Sequence, residues 1–354
     1  MARILHLYDN RTPPAAAAVL NELRYGRPQD LLARVGGATR PDLPPTRAVL
    51  RPAWGWRLTA TPEIRRFARR HRIDAIHAWS ASAAEAAAAT GVPTLLSVAA
   101  TPTAKQQHAL EAAVAEGARL VATSRPLASR LAHRFGAATA VEVVAPAFRH
   151  HPLDPAAVRR HLGLSADATV VLAPTNDRGA IWALWAVGIL HYTGINTHLL
   201  VTGPAAALAA VERFARDIRT AERLHTIRGG PGWLGPVAAD LAVLADGRGG
   251  SSVALAQAVV NAVPVIALDT GEAGALLKHE RTGWLVPADP PRQRPRALAG
   301  AILRLAEHPT LAAALAEGAA RTHAEVLDVE GAAHRWDALY ASAIDTTPVK
   351  EPVA

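Results

Sequence analysis

A chain of 354 residues, half of them hydrophobic, is too long for one compact core and argues for two domains of ordinary size. It holds no cysteine, which excludes disulfides, thiolate metal sites and cysteine nucleophiles, and no apolar run approaches the roughly 20 residues that span a bilayer. The net charge of +8 comes almost wholly from scattered arginines, Lys occurring only at 105, 278 and 350, and without a basic tail or interleaved aromatics it points to no nucleic-acid module.

From residue 2 to 146, short apolar runs alternate with helical stretches. The runs are ARILHLY (2–8), AIHAW (75–79), TLLSVA (94–99), RLVATS (119–124) and VEVVAP (141–146). Predicted helices cover 15–25, 62–71, 81–90, 104–116 and 126–135. Such alternation predicts βαβ units around a parallel sheet. The opening MARILHLYDN reads as a strand with no signal-peptide h-region after it, so a cytoplasmic location is expected. Segment 26–58, rich in Pro, Gly and Arg, carries no readable pattern. In the helix at 62–71, Ile64, Phe67 and His71 share one face and arginines fill the others. With Trp54 and Trp56 nearby, that helix offers either a solvated face on the sheet or a peripheral contact at the inner membrane face.

At the junction, Asp154 and Pro155 form an N-cap and first helical position, and the adjacent His150 and His151 lack the spacing of a metal motif. The boundary is therefore set here: a first domain at 1–152, a second at 153–328, and a last helix at 329–345. The second set of strands is TVVLAP (169–174), HLLVTG (198–203), LHTI (224–227), LAVLAD (241–246) and PVIALD (264–269). Helices are predicted at 181–192, 205–220, 252–262 and 272–279, then at 295–307, 311–326 and 330–344, the i, i+3 pair Trp182 and Trp185 of the first being read as core in preference to a ligand platform. Two doubly wound domains put a ligand at the carboxyl ends of their strands.

The candidate site lies between Asp246 and Pro290. The turn Gly249-Gly250-Ser251-Ser252 opens a helix, where unpaired amides and the helix dipole suit a phosphate; the plainer reading is a tight strand-to-helix connection that needs glycine anyway. Gln257 offers an amide to a ribose diol or is one polar residue on a small-residue helix. Arg178, with Arg248 as a weaker substitute, offers a guanidinium to a diphosphate or is an exposed loop arginine. Glu272, in the loop from Gly271 to Gly274, reaches a sugar hydroxyl or favours its own helix N-terminus. The stretch closes on Thr282-Gly283-Trp284-Leu285-Val286-Pro287, read as a turn.

These motifs, in their order and spacing, resemble those of the family 4 glycosyltransferases. Asp74-Ala75-Ile76-His77-Ala78 resembles the family's "D-v-v-H-a" strand end, and Val121-Ala122-Thr123-Ser124 its "v-a-x-S" element. Leu199-Leu200-Val201-Thr202-Gly203 is similar to "L-x-i-x-G", and Thr282-Gly283-Trp284-Leu285-Val286 to "T-G-x-L-V". Val263-Pro264-Val265-Ile266-Ala267-Leu268-Asp269 resembles "G-V-P-V-V-a-x-D" without its first glycine, and Trp336, Leu339 and Tyr340 resemble the last helix. The resemblance implies a GT-B fold, two Rossmann-like α/β domains facing across a cleft, with the nucleotide-sugar donor on the second and a saccharide, lipid-linked or small-molecule acceptor on the first. It further implies that the last helix crosses back to the first domain, and that His77 faces the cleft as a candidate catalytic residue alongside Glu272 (the plainer reading of a lone histidine being structural). Transfer is implied to retain the anomeric configuration, and the nucleotide sugar to be a substrate, with no cofactor or metal.

The departures are equally specific. Where the family carries two glutamates eight positions apart, this chain has Gly249 and Gln257. The basic loop is Pro174-Thr175-Asn176-Asp177-Arg178-Gly179, a histidine position holds Ala99, a glutamate position holds Ala275, and Asn10-Arg11-Thr12-Pro13-Pro14 replaces an N-terminal Gly-Gly loop. Two readings follow: a glycosyltransferase with an altered donor site, or a non-catalytic GT-B relic that binds a nucleotide or a partner enzyme.

Overall fold

The computed structural model describes residues 2–36, 48–50, 56–136, 139–174, 178–203, 205–228, 234–245 and 251–346. The chain divides into two compact units: Met1–Pro146 with Val329–Ala354, and Ala147–Asp328.

The first unit is built on a parallel sheet of seven strands, in the order β3-β2-β1-β4-β5-β6-β7. The strands are β1 (Ile4–Tyr8), β2 (Leu31–Val35), β3 (Ala48–Leu50), β4 (Ala75–Ala78), β5 (Thr94–Val98), β6 (Arg119–Ala122) and β7 (Val141–Val143). Its helices are α1 (Pro14–Gly26), α2 (Trp56–His71), α3 (Ala81–Ala88), α4 (Ala104–Ala115) and α5 (Arg125–Phe135). Every residue of β1, β4 and β5 is buried, as expected of parallel strands covered on both faces. Ser80 and Ser124 start α3 and α5 by accepting the amides of Ala83 (3.1 Å) and Leu127 (3.3 Å).

The second unit carries a six-stranded parallel sheet in the order β10-β9-β8-β11-β12-β13. Its strands are β8 (Thr169–Pro174), β9 (Thr197–Gly203), β10 (Leu224–Arg228), β11 (Leu241–Leu244), β12 (Val265–Leu268) and β13 (Trp284–Val286). Around them lie α6 (Pro155–His161), α7 (Arg178–Tyr192), α8 (Ala205–Asp217), α9 (Leu234–Ala238), α10 (Ser251–Val260), α11 (Gly271–Leu276), α12 (Arg294–Glu307) and α13 (Pro309–Thr322). Val171, Leu184, Val201, Leu241, Ile266, Leu298 and Ile302 belong to its core. The final helix, α14 (Val329–Thr346), packs on α1, β4 and β5 of the first unit.

Each sheet starts in its middle, grows to one side and then crosses to the other. That places a topological switch point between β1 and β4 in the first unit and between β8 and β11 in the second.

The structure differs from the sequence reading in short elements. Segment 26–58 contributes β2 and β3, two short strands embedded among turn formers. Pro62, read as a helix start, lies inside α2. Trp284–Val286, read as a turn, is an edge strand paired with Ile266–Leu268. Along α2, Ile64 is buried while Arg66, Arg69 and Arg70 are exposed, and the rings of Phe67 and His71 lie 4.3 Å apart. Among the described residues, no helix is long and apolar enough to cross a membrane.

Candidate functional site

In the second unit, β8 and β11 are neighbours, Leu241 lying opposite Val171 and Ala242 opposite Leu172. α7 begins at Arg178, just beyond the carboxyl end of β8, and α10 begins at Ser251, beyond that of β11. Two helix N-termini therefore flank the switch point, each presenting backbone amides and the positive end of its dipole. Arg178 is thus placed at this edge by its backbone. Gly249, Gly250 and the substitute Arg248 lie outside the described residues.

α10 consists of small residues that let it pack closely, and only Ala254 and Gln257 along it are half-buried. Ser251 is 2% exposed and Ser252 5%. The Ser251 amide donates to Glu272 Oε2 at 3.1 Å, and Glu272 is completely buried. Two glycines deliver that carboxylate. Gly271, at φ +60°, opens α11 in the left-handed region, and a Cβ on Gly274 would stand 3.0 Å from Asp269 Oδ1. Glu272 thus reaches past its own helix to the N-terminus of α10. An internal carboxyl group sits beside the amide where the sequence reading puts a phosphate, and a sugar hydroxyl meets this side chain only if it moves. Gln257, six residues along α10, is about 9 Å further down the helix axis, so it is not gathered with the N-terminal amides.

His77 has a different setting from the one expected. It lies within β4, between His6 of β1 and Leu95 of β5 in register, and is completely buried. Nδ1 bonds the Tyr340 hydroxyl at 2.7 Å and Nε2 the Ser97 hydroxyl at 2.8 Å, while the ring stacks on Trp79 at 4.1 Å and meets Trp336 at 4.5 Å. Burial holds its pKa well below the ordinary histidine value, followed by the charges of His6 and Arg27. Both ring nitrogens are engaged, so this neutral histidine is a packing residue under α14 and does not face open space.

Beside it runs a buried polar network. Arg27 grips Asp30 through Nε (2.5 Å) and Nη2 (3.3 Å), and its Nη1 bonds Asp337 of α14. His6 Nε2 donates to Asp30 at 3.0 Å, and its Nδ1 accepts the Trp79 indole N–H at 3.2 Å. Burial lowers the His6 pKa, so the ring stays neutral despite its carboxylate neighbour.

Sequence reasoning passed over the switch point of the first unit. There Asp9, following β1, accepts the Ser82 hydroxyl at 2.5 Å and the Arg11 amide at 2.8 Å, next to Ser80. A small cavity of about 30 Å³ opens beside it between Pro13, Trp79, Ser97 and Gln106. The signal was available: a polar residue directly after an apolar strand run marks the carboxyl edge of a sheet.

Comparison with known proteins agrees with this architecture. Residues 19–151 match the family model described as Glycosyltransferase Family 4. Comparison with curated proteins gives no match. Among solved structures, the chain is similar to Anabaena HepE in complex with UDP and glucose, at 18% identity over 97% of this chain and 100% of that one, with a TM-score of 0.78. Sucrose-phosphate synthase from Thermosynechococcus elongatus is 16% identical over 97% and 99%, with a TM-score of 0.72. A glycosyltransferase from Rickettsia africae is 13% identical over 98% and 99%, with a TM-score of 0.68. At such identities the likeness carries the fold, which is GT-B. The family match covers residues 19–151, within the part of the chain that supplies most of the first unit.

Proposed function

We propose that the chain transfers a sugar from a nucleotide-diphosphate donor to a saccharide, lipid-linked or small-molecule acceptor, with retention of configuration and without a metal. The observation that carries this is the pair of helix N-termini, α7 and α10, flanking the β8/β11 switch point. Amides at the start of α10 and the Arg178 guanidinium would stabilise the leaving diphosphate, the part a bound cation plays elsewhere. HepE was solved with UDP-glucose, which makes a uridine donor the first to test. The acceptor would lie at the β1/β4 edge, near Asp9 and Ser82. The proposed setting is cytoplasmic, with exposed Arg66, Arg69 and Arg70 of α2 available for peripheral contact at the inner membrane face. Calorimetric titration of the full chain with UDP and UDP-glucose, followed by donor hydrolysis and NMR of the product anomer, tests the proposal. Binding of no nucleotide or nucleotide sugar from a broad panel would sink the donor site, and an inverted product would remove retention.

A second reading has its own observation. Glu272 satisfies the Ser251 amide, and Gly249 and Gln257 stand where the resemblance expects carboxylates. A relic that binds nucleotide without turnover fits these features. Tight UDP binding with no hydrolysis or transfer across many acceptors would select it.

A further inference from the structure

A sizeable cavity of the second unit lies away from the switch point. It has a volume of about 580 Å³, within the roughly 300–1,000 Å³ typical of small-molecule sites. Its walls come from α6, α9 and the loops leading into β8, β11 and β12, which are the amino-terminal ends of those strands. The proposed donor end is at their carboxyl ends. Asn261, in its lining, directly follows α10, whose first residue is Ser251; the helix between them is about 15 Å long.

The lining is basic. Arg159, Arg160, His150 and His151 face it against a single carboxylate, Asp240. Arg159 is largely buried and fixed: Nε donates to the Ala238 carbonyl at 2.9 Å and Nη2 pairs with Asp240 at 2.6 Å. Its Nη1 has no hydrogen-bond partner among the described residues. Asp240 is itself held by the Val170 amide at 2.8 Å. The guanidinium is therefore set in place before any ligand arrives, which lowers the ordering cost of binding. Arg160 is 73% exposed and its only ion pair among the described residues is a loose one with Asp154 at 3.9 Å, so it can turn toward an anion. A fixed and a mobile guanidinium suit the two oxygens of a phosphate, and the histidines and Asn261 suit hydroxyls.

We infer that this cavity is a second binding site, for a phosphorylated small molecule, on the edge of the second unit opposite the switch point. It is independent of the proposed donor site.

The test is calorimetric titration of the full chain with ribose 5-phosphate and with ribose, in saturating UDP so that any donor site is filled. Ribose 5-phosphate should bind and ribose should bind at least tenfold more weakly, since the phosphate supplies about 1.4 kcal/mol or more. Arg160→Glu, at an exposed position, should weaken binding by about tenfold through charge reversal. Ala156→Trp, also exposed, should block the cavity while leaving the melting temperature and UDP affinity unchanged. The inference is overturned by absence of binding at millimolar ligand, by equal affinity for ribose, by indifference to both substitutions, or by loss of binding when UDP is added.

Discussion

Two completely buried polar side chains, His77 in the first unit and Glu272 in the second, invite the same question and get different answers. His77 is enclosed: both nitrogens are bonded, Trp79 and Trp336 cover its faces, and the adjoining Arg27–Asp30–His6 network ties α14 to the sheet. Glu272 also has a bonded oxygen, but its partner is the first amide of a helix at the carboxyl edge of a sheet. Burial alone therefore does not separate structure from site. What separates them is the partner: a saturated ring of side chains in one case, a helix N-terminus that a phosphate could also occupy in the other.

The largest way to break this contrast is in the first unit. Arg27→Ala would leave Asp30 buried with a charge and only His6 beside it, and would release Asp337 on α14. Removing one partner of a buried ion pair costs about 3–5 kcal/mol. We expect a fall in the melting temperature of that unit by roughly 10 °C, at the 2–4 °C per kcal/mol usual for a unit of this size. A loss below about 1 kcal/mol would show that the network is not a lock.

The second substitution acts on the other side of the contrast. Glu272→Gln keeps the shape and an acceptor oxygen but removes the charge from the start of α10. If a diphosphate shares that amide, UDP affinity should rise about tenfold, or 1.4 kcal/mol, as like-charge repulsion is relieved. Ser251→Glu should move the constant the opposite way. Calorimetry that finds UDP binding indifferent to both would reduce Glu272 to a helix cap, of the same standing as His77.

How much of this was legible follows from physical scale. Strands buried on both faces, such as ILHLY and VIAL, announce themselves as apolar runs, and the alternation with helices gave both sheets. β3 has three residues and α9 five, too few for a period to show against Pro and Gly neighbours. The helix start at Ser251 was readable from small residues after a glycine turn. The amide's partner was not, because Glu272 lies 21 residues downstream and only the Gly271 corner brings it there. For a related reason the sequence left a structural and a functional reading side by side at His77. Its ligands are Ser97 and Tyr340, 20 and 263 positions away, and no local pattern reports a contact made by the last helix.

Acid should sharpen the contrast in a third way, through a pair of histidines less enclosed than His77. At the start of β9 and β10, the Leu162 carbonyl can only accept, so His225 Nδ1 donates to it at 3.1 Å. His225 Nε2 then accepts from His198 Nδ1 at 2.9 Å, and His198 Nε2 accepts from Arg223 Nη1 at 3.0 Å. The link between the rings needs a neutral His225 and the Arg223 link a neutral His198, although a protonated His198 could turn its Nε2–H to Asn196 Oδ1 at 3.2 Å. Partial burial, then the charges of His225 and Arg223, lower the His198 pKa to about 4, and burial lowers that of His225. A histidine with a depressed pKa contributes stability that is present above the unfolded value of 6.5 and lost as pH falls toward 4. Urea melts of the chain between those limits should show the second unit weakening. His198→Gln should flatten the decline, and an unchanged slope would remove the pair from the account.

The smallest expected effect tests a departure that was visible in the sequence from the start. Where the resembled motif has glycine before Val263-Pro264, this chain has Ala262, and Ala262 adopts φ +53°. The geometry around it explains the preference. The Val263 amide bonds the Ala258 carbonyl at 2.9 Å and the Ala262 amide bonds that of Val259 at 3.1 Å, the paired bonds of a helix end whose next residue is left-handed. A Cβ in that conformation costs roughly 1–2 kcal/mol. Glycine relieves it but loses more chain entropy on folding, by about 0.5–1 kcal/mol. Ala262 is exposed, so no packing is given up. Ala262→Gly should therefore stabilise the second unit by about 0.5 kcal/mol in denaturant melts, with UDP binding unchanged because the substitution lies at the end of α10 away from Ser251. Destabilisation would mean that the alanine makes contacts outweighing its strain, and that this departure, unlike those at Gly249 and Gln257, is a packing choice.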